Sequence, residues 1–258
     1  MKIKFLGTGS GLTSLKRFHS SLLITSSNYN LLVDCGDGIS RALINQNIGC
    51  NVIDAILISH LHPDHYSGLP SLITQMKLGG RKKELSVFVH SSNKDFIEEF
   101  IFRSYLFYNR MDFKLNINSF DAENKIDLNK KFSFISKLNS HLDKYHTNEL
   151  ISKISFASLS FLFKDDIASC IYTGDIGCED DLFLFRQKVS WFISEISHIN
   201  PSSLLNVLHE LHPDKIILTH IDDETEQIIK VFIKDLVIST EKPSFLVAFD
   251  GLDLIYPT

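Results

Sequence analysis

Three histidines and one aspartate fall within the six residues His60-Leu61-His62-Pro63-Asp64-His65, directly after an apolar run. Imidazoles and a carboxylate packed this closely desolvate one another and repel on protonation. A divalent cation removes that penalty by taking neutral imidazole nitrogens and carboxylate oxygens as ligands. His60 and His62, two apart on extended chain, can grip one ion; Asp64 and His65, at the following turn, can reach a second. Two later apolar runs end in the same kind of group. Ile171-Tyr172-Thr173-Gly174-Asp175 delivers a carboxylate and Ile216-Ile217-Leu218-Thr219-His220 an imidazole. A carboxylate between two cations about 3.5–4 Å apart can bridge them.

The elements that must carry these groups are short strands alternating with helices. Period-two and continuous apolar runs predict strands over 3–6, 21–25, 30–34, 54–59, 85–90, 132–138, 154–163, 167–173, 191–196 and 215–219. Helical spacing marks 38–47, 69–77, 93–108, 201–211 and 224–236, and residues 245–249 and 252–256 read as a closing hairpin. Two sets of strands, each with its own helices, suit an αββα sandwich of two mixed sheets flanked by helices. With 258 residues, no repeat and no linker, one domain over 1–258 is expected.

Composition narrows the class further. A chain 44% hydrophobic and 22% charged, with 12 Gly and 6 Pro, is neither collagenous nor disordered. No apolar run reaches the roughly 20 residues that cross a bilayer, and the N-terminal residues do not read as a signal peptide. A cytoplasmic protein without a membrane partner is expected. Four cysteines without a CxxC pair read as free thiols. A net charge of −5 argues against stable duplex nucleic-acid binding, and Arg81-Lys82-Lys83 reads as a solvated turn.

The histidine cluster matches the HxHxDH signature, and the chain resembles the metallo-β-lactamase-fold hydrolases. Its first hundred or so residues look most like the ribonuclease Z and phosphodiesterase branch. That likeness runs through Phe5-Leu6-Gly7-Thr8-Gly9-Ser10-Gly11, His19-Ser20-Ser21, Leu32-Val33-Asp34-Cys35-Gly36-Asp37-Gly38 with Arg41, and Gly68-Leu69-Pro70. The resemblance implies one ion on His60, His62 and a third histidine, and a second on Asp64, His65 and His220, with Asp175 bridging. Two histidines, His141 and His146, follow the strand where the family places the third ligand; His141, nearer the strand end, is preferred. Asp34 reads either as a turn residue or as a group orienting a ligand histidine. His198, 22 residues before His220, matches a histidine that the family places near the scissile phosphate as general acid, with Glu195 to orient it.

Two departures stand out. No Gly/Pro-rich arm of the kind that tRNA-processing relatives carry lies in the 34 residues from His141 to Asp175. The family's His-Glu-Ala-Thr motif is here Ser194-Glu195-Ile196-Ser197. Both point away from tRNA processing, and the missing arm favours a small or flexible phosphodiester: a cyclic nucleotide, an oligonucleotide or a nucleotide-derived diester. The implied chemistry is hydrolysis by a hydroxide held between two divalent metal ions. Zinc is favoured by the imidazole-rich shell, and manganese or iron is compatible with its carboxylates. Gly9-Ser10-Gly11, Lys16, Arg17 and His198 are the predicted phosphate cradle. The alternative is a carboxylic ester, lactone or thioester hydrolase on the same centre, with the Phe-rich segment 96–108 as its acyl pocket. That segment reads more simply as core or dimer packing, and a homodimer is implied by the resemblance.

Overall fold

The computed structural model describes residues 1–147, 153–239 and 245–256. In chain order its strands and helices are β1 (Lys2–Gly7), β2 (Ser21–Ser26), β3 (Tyr29–Val33), α1 (Ile39–Asn45), β4 (Ala55–Leu57), α2 (Pro63–Tyr66), α3 (Leu69–Leu78), β5 (Leu85–His90), α4 (Lys94–Arg103), β6 (Leu115–Phe120), β7 (Lys125–Asp127), β8 (Ser133–Leu138), β9 (Leu159–Lys164), β10 (Ser169–Tyr172), β11 (Trp191–Glu195), α5 (Ser203–Leu211), β12 (Lys215–Thr219), α6 (Thr225–Ser239), β13 (Phe245–Val247) and β14 (Asp253–Ile255). They form two seven-stranded sheets, ordered β14-β1-β2-β3-β4-β5-β6 and β13-β12-β11-β10-β9-β8-β7. Each sheet mixes antiparallel pairs with a parallel run, β3 to β6 in the first and β10 to β13 in the second.

Both faces of the inner strands are buried, and the side-chain period of two sorts residues between layers. Ile3 and Phe5, Leu22 and Ile24, Leu31 and Val33, and Ala55 and Leu57 pack inward against Phe161, Phe163, Tyr172, Trp191 and Ile217 of the second sheet. Leu6, Leu23, Leu32 and Ile56 point outward onto α1, α3 and α4. On the opposite side Leu162, Ile171, Phe192, Ile216 and Leu218 form a third cluster with α5 and Ile229 of α6. Four layers result, the αββα sandwich expected from the sequence.

Strand direction places the chemistry. In the first sheet β3 and β4 run parallel. In the second, β10, β11 and β12 are parallel, and β8 shares their direction because it pairs antiparallel with β9, which pairs antiparallel with β10. Their carboxyl ends gather at one rim of the sandwich, where ligand sites of α/β sheets form.

The structure corrects several expectations. Residues 245–256 are not a hairpin: β13 joins β12 in the second sheet while β14 joins β1 in the first. The turn between them spans the layers, with Ala248 N–H donating to Leu218 O and Gly251 N–H to Phe5 O. The helix predicted over 93–108 stops at Arg103, because Tyr105 takes a left-handed φ of 60° and Leu106 N–H turns back to Ile101 O. The strand predicted over 154–163 begins only at Leu159. Strands β6 and β7 were not expected. Arg81 is not in a solvated turn; it is 2% exposed and donates to the carbonyls of Asn51, Ile53, Lys83 and Glu84.

Candidate metal centre

β4 ends at Leu57, and the chain continues through Ile58 and Ser59 to place His60 and His62 at the rim. Pro63 then starts the one-turn helix α2, which turns Asp64 and His65 back toward the same point. Two glycines let this loop dock. A Cβ on Gly36 would lie 1.9 Å from Asp64 O, and one on Gly68 would lie 2.2 Å from Gly36 O. Cys35 N–H bonds His65 O and Gly68 N–H bonds Cys35 O, which closes the seam. Across the rim, β8 leads to His141, β10 to Asp175, β11 to Glu195 and β12 to His220. Asp175 follows Gly174, whose φ of 59° turns the chain into the site. Asp34 and His220 hold left-handed φ values of 60° and 58°, uncommon for residues with a Cβ and here paired with specific bonds.

The predicted ligands converge in two groups: His60, His62, His141 and Asp175, and Asp64, His65, Asp175 and His220. Within each, the potential ligand atoms all lie within 4.8 Å of one another. Asp175 belongs to both. Its Oδ2 stands 4.0 Å from His60 Nε2, 3.4 Å from His65 Nε2, 3.8 Å from His141 Nε2 and 3.2 Å from His220 Nε2. Asp64 Oδ2 is 3.3 Å from both His65 Nε2 and His220 Nε2. His62 Nδ1 faces His141 Nε2 at 3.0 Å. His146 is exposed, with its ring against Phe156, and stays outside both groups.

Hydrogen bonds behind the imidazoles fix which nitrogen faces inward. Asp34 Oδ2 accepts from His65 Nδ1 at 2.8 Å, from Ser59 Oγ at 2.9 Å and from the Tyr172 hydroxyl at 3.3 Å. Since Ser59 Oγ spends its proton on Asp34, it can only accept from His60 Nδ1, 3.1 Å away. Ser197 Oγ likewise donates to His220 O and accepts from His220 Nδ1. Each of these rings therefore turns an Nε2 lone pair inward. The Nε2 atoms of His60 and His65 and the Oδ1 of Asp175 are buried without a hydrogen-bond partner.

Such orphaned atoms are costly in a core unless a ligand takes them. Burial, followed by the neighbouring His65, holds His60 well below its ordinary value, and burial pushes His141 down to about 4. Both are neutral imidazoles, the form that binds metal. Burial would also depress His65 and His220, but Asp175 above all reverses the sign and raises both. The same histidines hold the Asp64 and Asp175 carboxyls far below the usual range against their own burial. A site that favours positive charge among inward lone pairs and carboxylates fits divalent cations.

Beside these groups, His198 Nδ1 bonds Glu195 Oε1 at 3.0 Å. Glu195 is itself buried, and its Oε2 accepts the backbone N–H groups of Ser197 and His198. The Glu195 bond raises the His198 pKa despite partial burial. The rim opens into a cleft of about 530 Å³ lined by Ser10, Gly11, His62, Asp64, Lys144 and His198 among others.

Part of the predicted phosphate cradle lies elsewhere. Arg17 turns its guanidinium to Thr8, Ala248 O and Glu226, and Lys16 pairs with Asp223. Neither lines the cleft, whereas Ser10, Gly11 and His198 do. Asp37 is exposed. The sequence reading missed Ser59, Ser197 and Tyr172 as orienting groups, and Lys144 and Tyr145 as cleft residues. Adjacency to a ligand was the available signal for Ser59 alone.

The family described as anti-Pycsar protein Apyc1 matches residues 1–236 of the chain. The chain belongs to that family. It is also 36% identical over 131 residues to a ribonuclease Z of Prochlorococcus marinus, a match covering 49% of this chain and 41% of that relative. The chain thus matches well under half of that protein's length. Among solved structures, the metallo-β-lactamase fold protein YhfI of Bacillus subtilis superposes with a TM-score of 0.75 at 18% identity, covering 98% of both chains. The short form of human tRNase Z also gives 0.75, at 19% identity over the whole of both chains. The family member described here therefore has the metallo-β-lactamase fold, with ribonuclease Z likeness in its sequence. Among the described residues, no helix is long and apolar enough to cross a membrane.

Proposed function

We propose that the chain is a metal-dependent phosphodiesterase acting on a nucleotide-type phosphodiester, with residues 1–258 as one catalytic unit. The observation that carries this reading is the pair of ligand groups sharing Asp175, with His198 held by Glu195 at their side. His60, His62 and His141 would hold one ion and Asp64, His65 and His220 the other, Asp175 serving both. Two divalent cations, with zinc favoured by the imidazoles, supply charge stabilisation and a water acidic enough to attack at neutral pH. The chain's own residues supply the remainder. Asp34, Ser59 and Ser197 keep the imidazole lone pairs aimed inward. His198, its Nδ1–H given to Glu195, presents Nε2 to the cleft and in its protonated form donates that proton to the leaving oxygen. Ser10, Gly11 and Lys144 line the cleft and would meet the phosphoryl oxygens. The ribonuclease Z relative supports a phosphodiester as the bond class, and the modest cleft supports a small or flexible substrate.

A carboxylic ester, lactone or thioester is the second reading, favoured by an apolar groove that opens beside His62 and includes Phe96. The deciding assay offers metal-loaded protein bis(p-nitrophenyl) phosphate, a p-nitrophenyl ester and a simple lactone, with Asp64→Ala as control. Diester turnover is expected, falling by at least about a hundredfold in the variant. Turnover of the ester or lactone alone would move the assignment to acyl substrates.

A further inference from the structure

The groove beside His62 has features that an acyl pocket does not need. It encloses about 640 Å³ and shares His62 and Tyr145 with the metal cleft, so Tyr145 stands where the two spaces meet. Aromatic rings line it: Tyr66 and Phe96, 5.5 Å apart and steeply inclined, then Tyr145 and Phe156. Phe96 is 42% and Tyr145 45% exposed, so large ring faces are left open to solvent. Asn93 also lines the groove, at 3% exposure, and its Oδ1 is buried without a partner. Among the described residues its side-chain amide makes no hydrogen bond, an arrangement that costs about 1–3 kcal/mol unless a ligand completes it. Asp95, two residues on, has no ion-pair or hydrogen-bond partner among the described residues.

Open ring faces beside an amide offering both donor and acceptor, with a carboxylate next to it, suit a flat heteroaromatic ring with a polar edge. An alkyl chain would cover the rings but leave Asn93 and Asp95 unanswered. A second phosphate is disfavoured, because Asp95 lines the groove beside Glu99, which is paired with Arg103, and Lys153 is the one lysine or arginine among the described residues that lines it. Lys144 stands on the other side of this boundary. It is the one lysine or arginine among the described residues lining the metal cleft, and its Nζ lies 5.1 Å from the Tyr145 ring centroid.

We propose that this groove is the nucleobase subsite of the enzyme: the base enters against Phe96 and Tyr145, Asn93 and Asp95 read its edge, and Lys144 meets the phosphate. This rests on the phosphodiesterase reading and narrows it to substrates with a single nucleoside next to the scissile phosphate. The short turn after His141, which carries Lys144 and Tyr145, then takes over substrate recognition in a chain without a long arm there.

Equilibrium binding to the metal-loaded protein, measured by calorimetry, tests the subsite without turnover. Adenosine and cytidine 5′-monophosphates are compared with ribose 5-phosphate, which lacks the base. Stacking on aromatic side chains predicts at least about a tenfold preference for the nucleotides. Asn93→Ala and the more exposed Phe96→Ala should each bring that ratio toward one. Equal affinity of the unmodified protein for nucleotide and sugar phosphate would overturn the subsite, as would a preference that survives both substitutions. Turnover of bis(p-nitrophenyl) phosphate, measured in parallel, decides the phosphodiesterase reading separately, since that diester has no base.

Discussion

Asp34 governs two imidazoles at once, directly through His65 and by way of Ser59 through His60, and so settles lone pairs belonging to both ligand groups. Its left-handed backbone satisfies the turn reading as well, so the two roles read from the sequence coexist. Glu195 plays the corresponding part for His198, and here the consequence is kinetic. If His198 delivers a proton to the leaving oxygen, its removal hurts most where that oxygen is a poor leaving group. His198→Ala should cost about 10²–10⁴-fold in kcat with an alkoxide leaving group, and much less with p-nitrophenolate, which departs without protonation. An equal loss with both substrates would assign His198 a binding role.

At the scale of elements, what the sequence made legible was whatever is local. The loop from His60 to His65 could be read because four candidate ligands crowd into six residues, and Asp175 and His220 because each follows an apolar strand. The rest depended on partners far along the chain. Leu115 to Phe120 alternates with Asn and Ser because β6 is an edge strand, which weakens its apolar signal. The last two strands are close in sequence but belong to different sheets, so proximity suggested a hairpin. Nothing in Ser104-Tyr105 announces a helix stop, since neither residue is the usual Gly or Asn. Arg81 misled for a related reason: its partners are loop carbonyls, which no charge pattern reveals. Two of its four donations, to Asn51 O and Ile53 O, tie the end of α3 to the segment entering β4, the strand that leads to His60, and the other two hold its own loop at Lys83 and Glu84. Lysine cannot span these carbonyls. Arg81→Lys should therefore lower unfolding stability by about 2–4 kcal/mol, read as a shifted urea midpoint at unchanged slope. A shift below 0.5 kcal/mol, the ordinary surface level, would contradict this role.

For the whole molecule the question is what holds the two sheets in register at the rim and away from it. Away from the rim, Asp165 in the turn between β9 and β10 accepts from Ser26 Oγ of the first sheet at 2.7 Å and from the N–H groups of Ile167 and Ala168. Burial would raise its pKa, but these donors outweigh it and the value is lowered. A lowered folded-state pKa contributes stability above the unfolded value of about 3.9, and that contribution is lost as pH falls through the folded value. Asp165→Asn should therefore be less stable by about 2 kcal/mol at pH 7, with the gap narrowing below about pH 4 in urea titrations. A gap independent of pH would rule out the charge as its source. At the rim the cations would do the joining, because His60, His62, Asp64 and His65 come from the first sheet and His141, Asp175 and His220 from the second. Ions that bind only the assembled rim stabilise the fold by mass action, by about 2.7 kcal/mol per site when free metal is a hundred times the Kd, or about 5 kcal/mol for two sites. For a chain of this size the two sites together are worth roughly 10–20 °C in Tm. Chelation should lower Tm by that amount and release two ions per chain, and zinc should restore it. His141→Ala, which strips one ligand group and leaves the other intact, should release one. Two ions retained by that variant would mean that His141 is not a ligand, and a single ion in the unmodified chain would exclude the dinuclear centre.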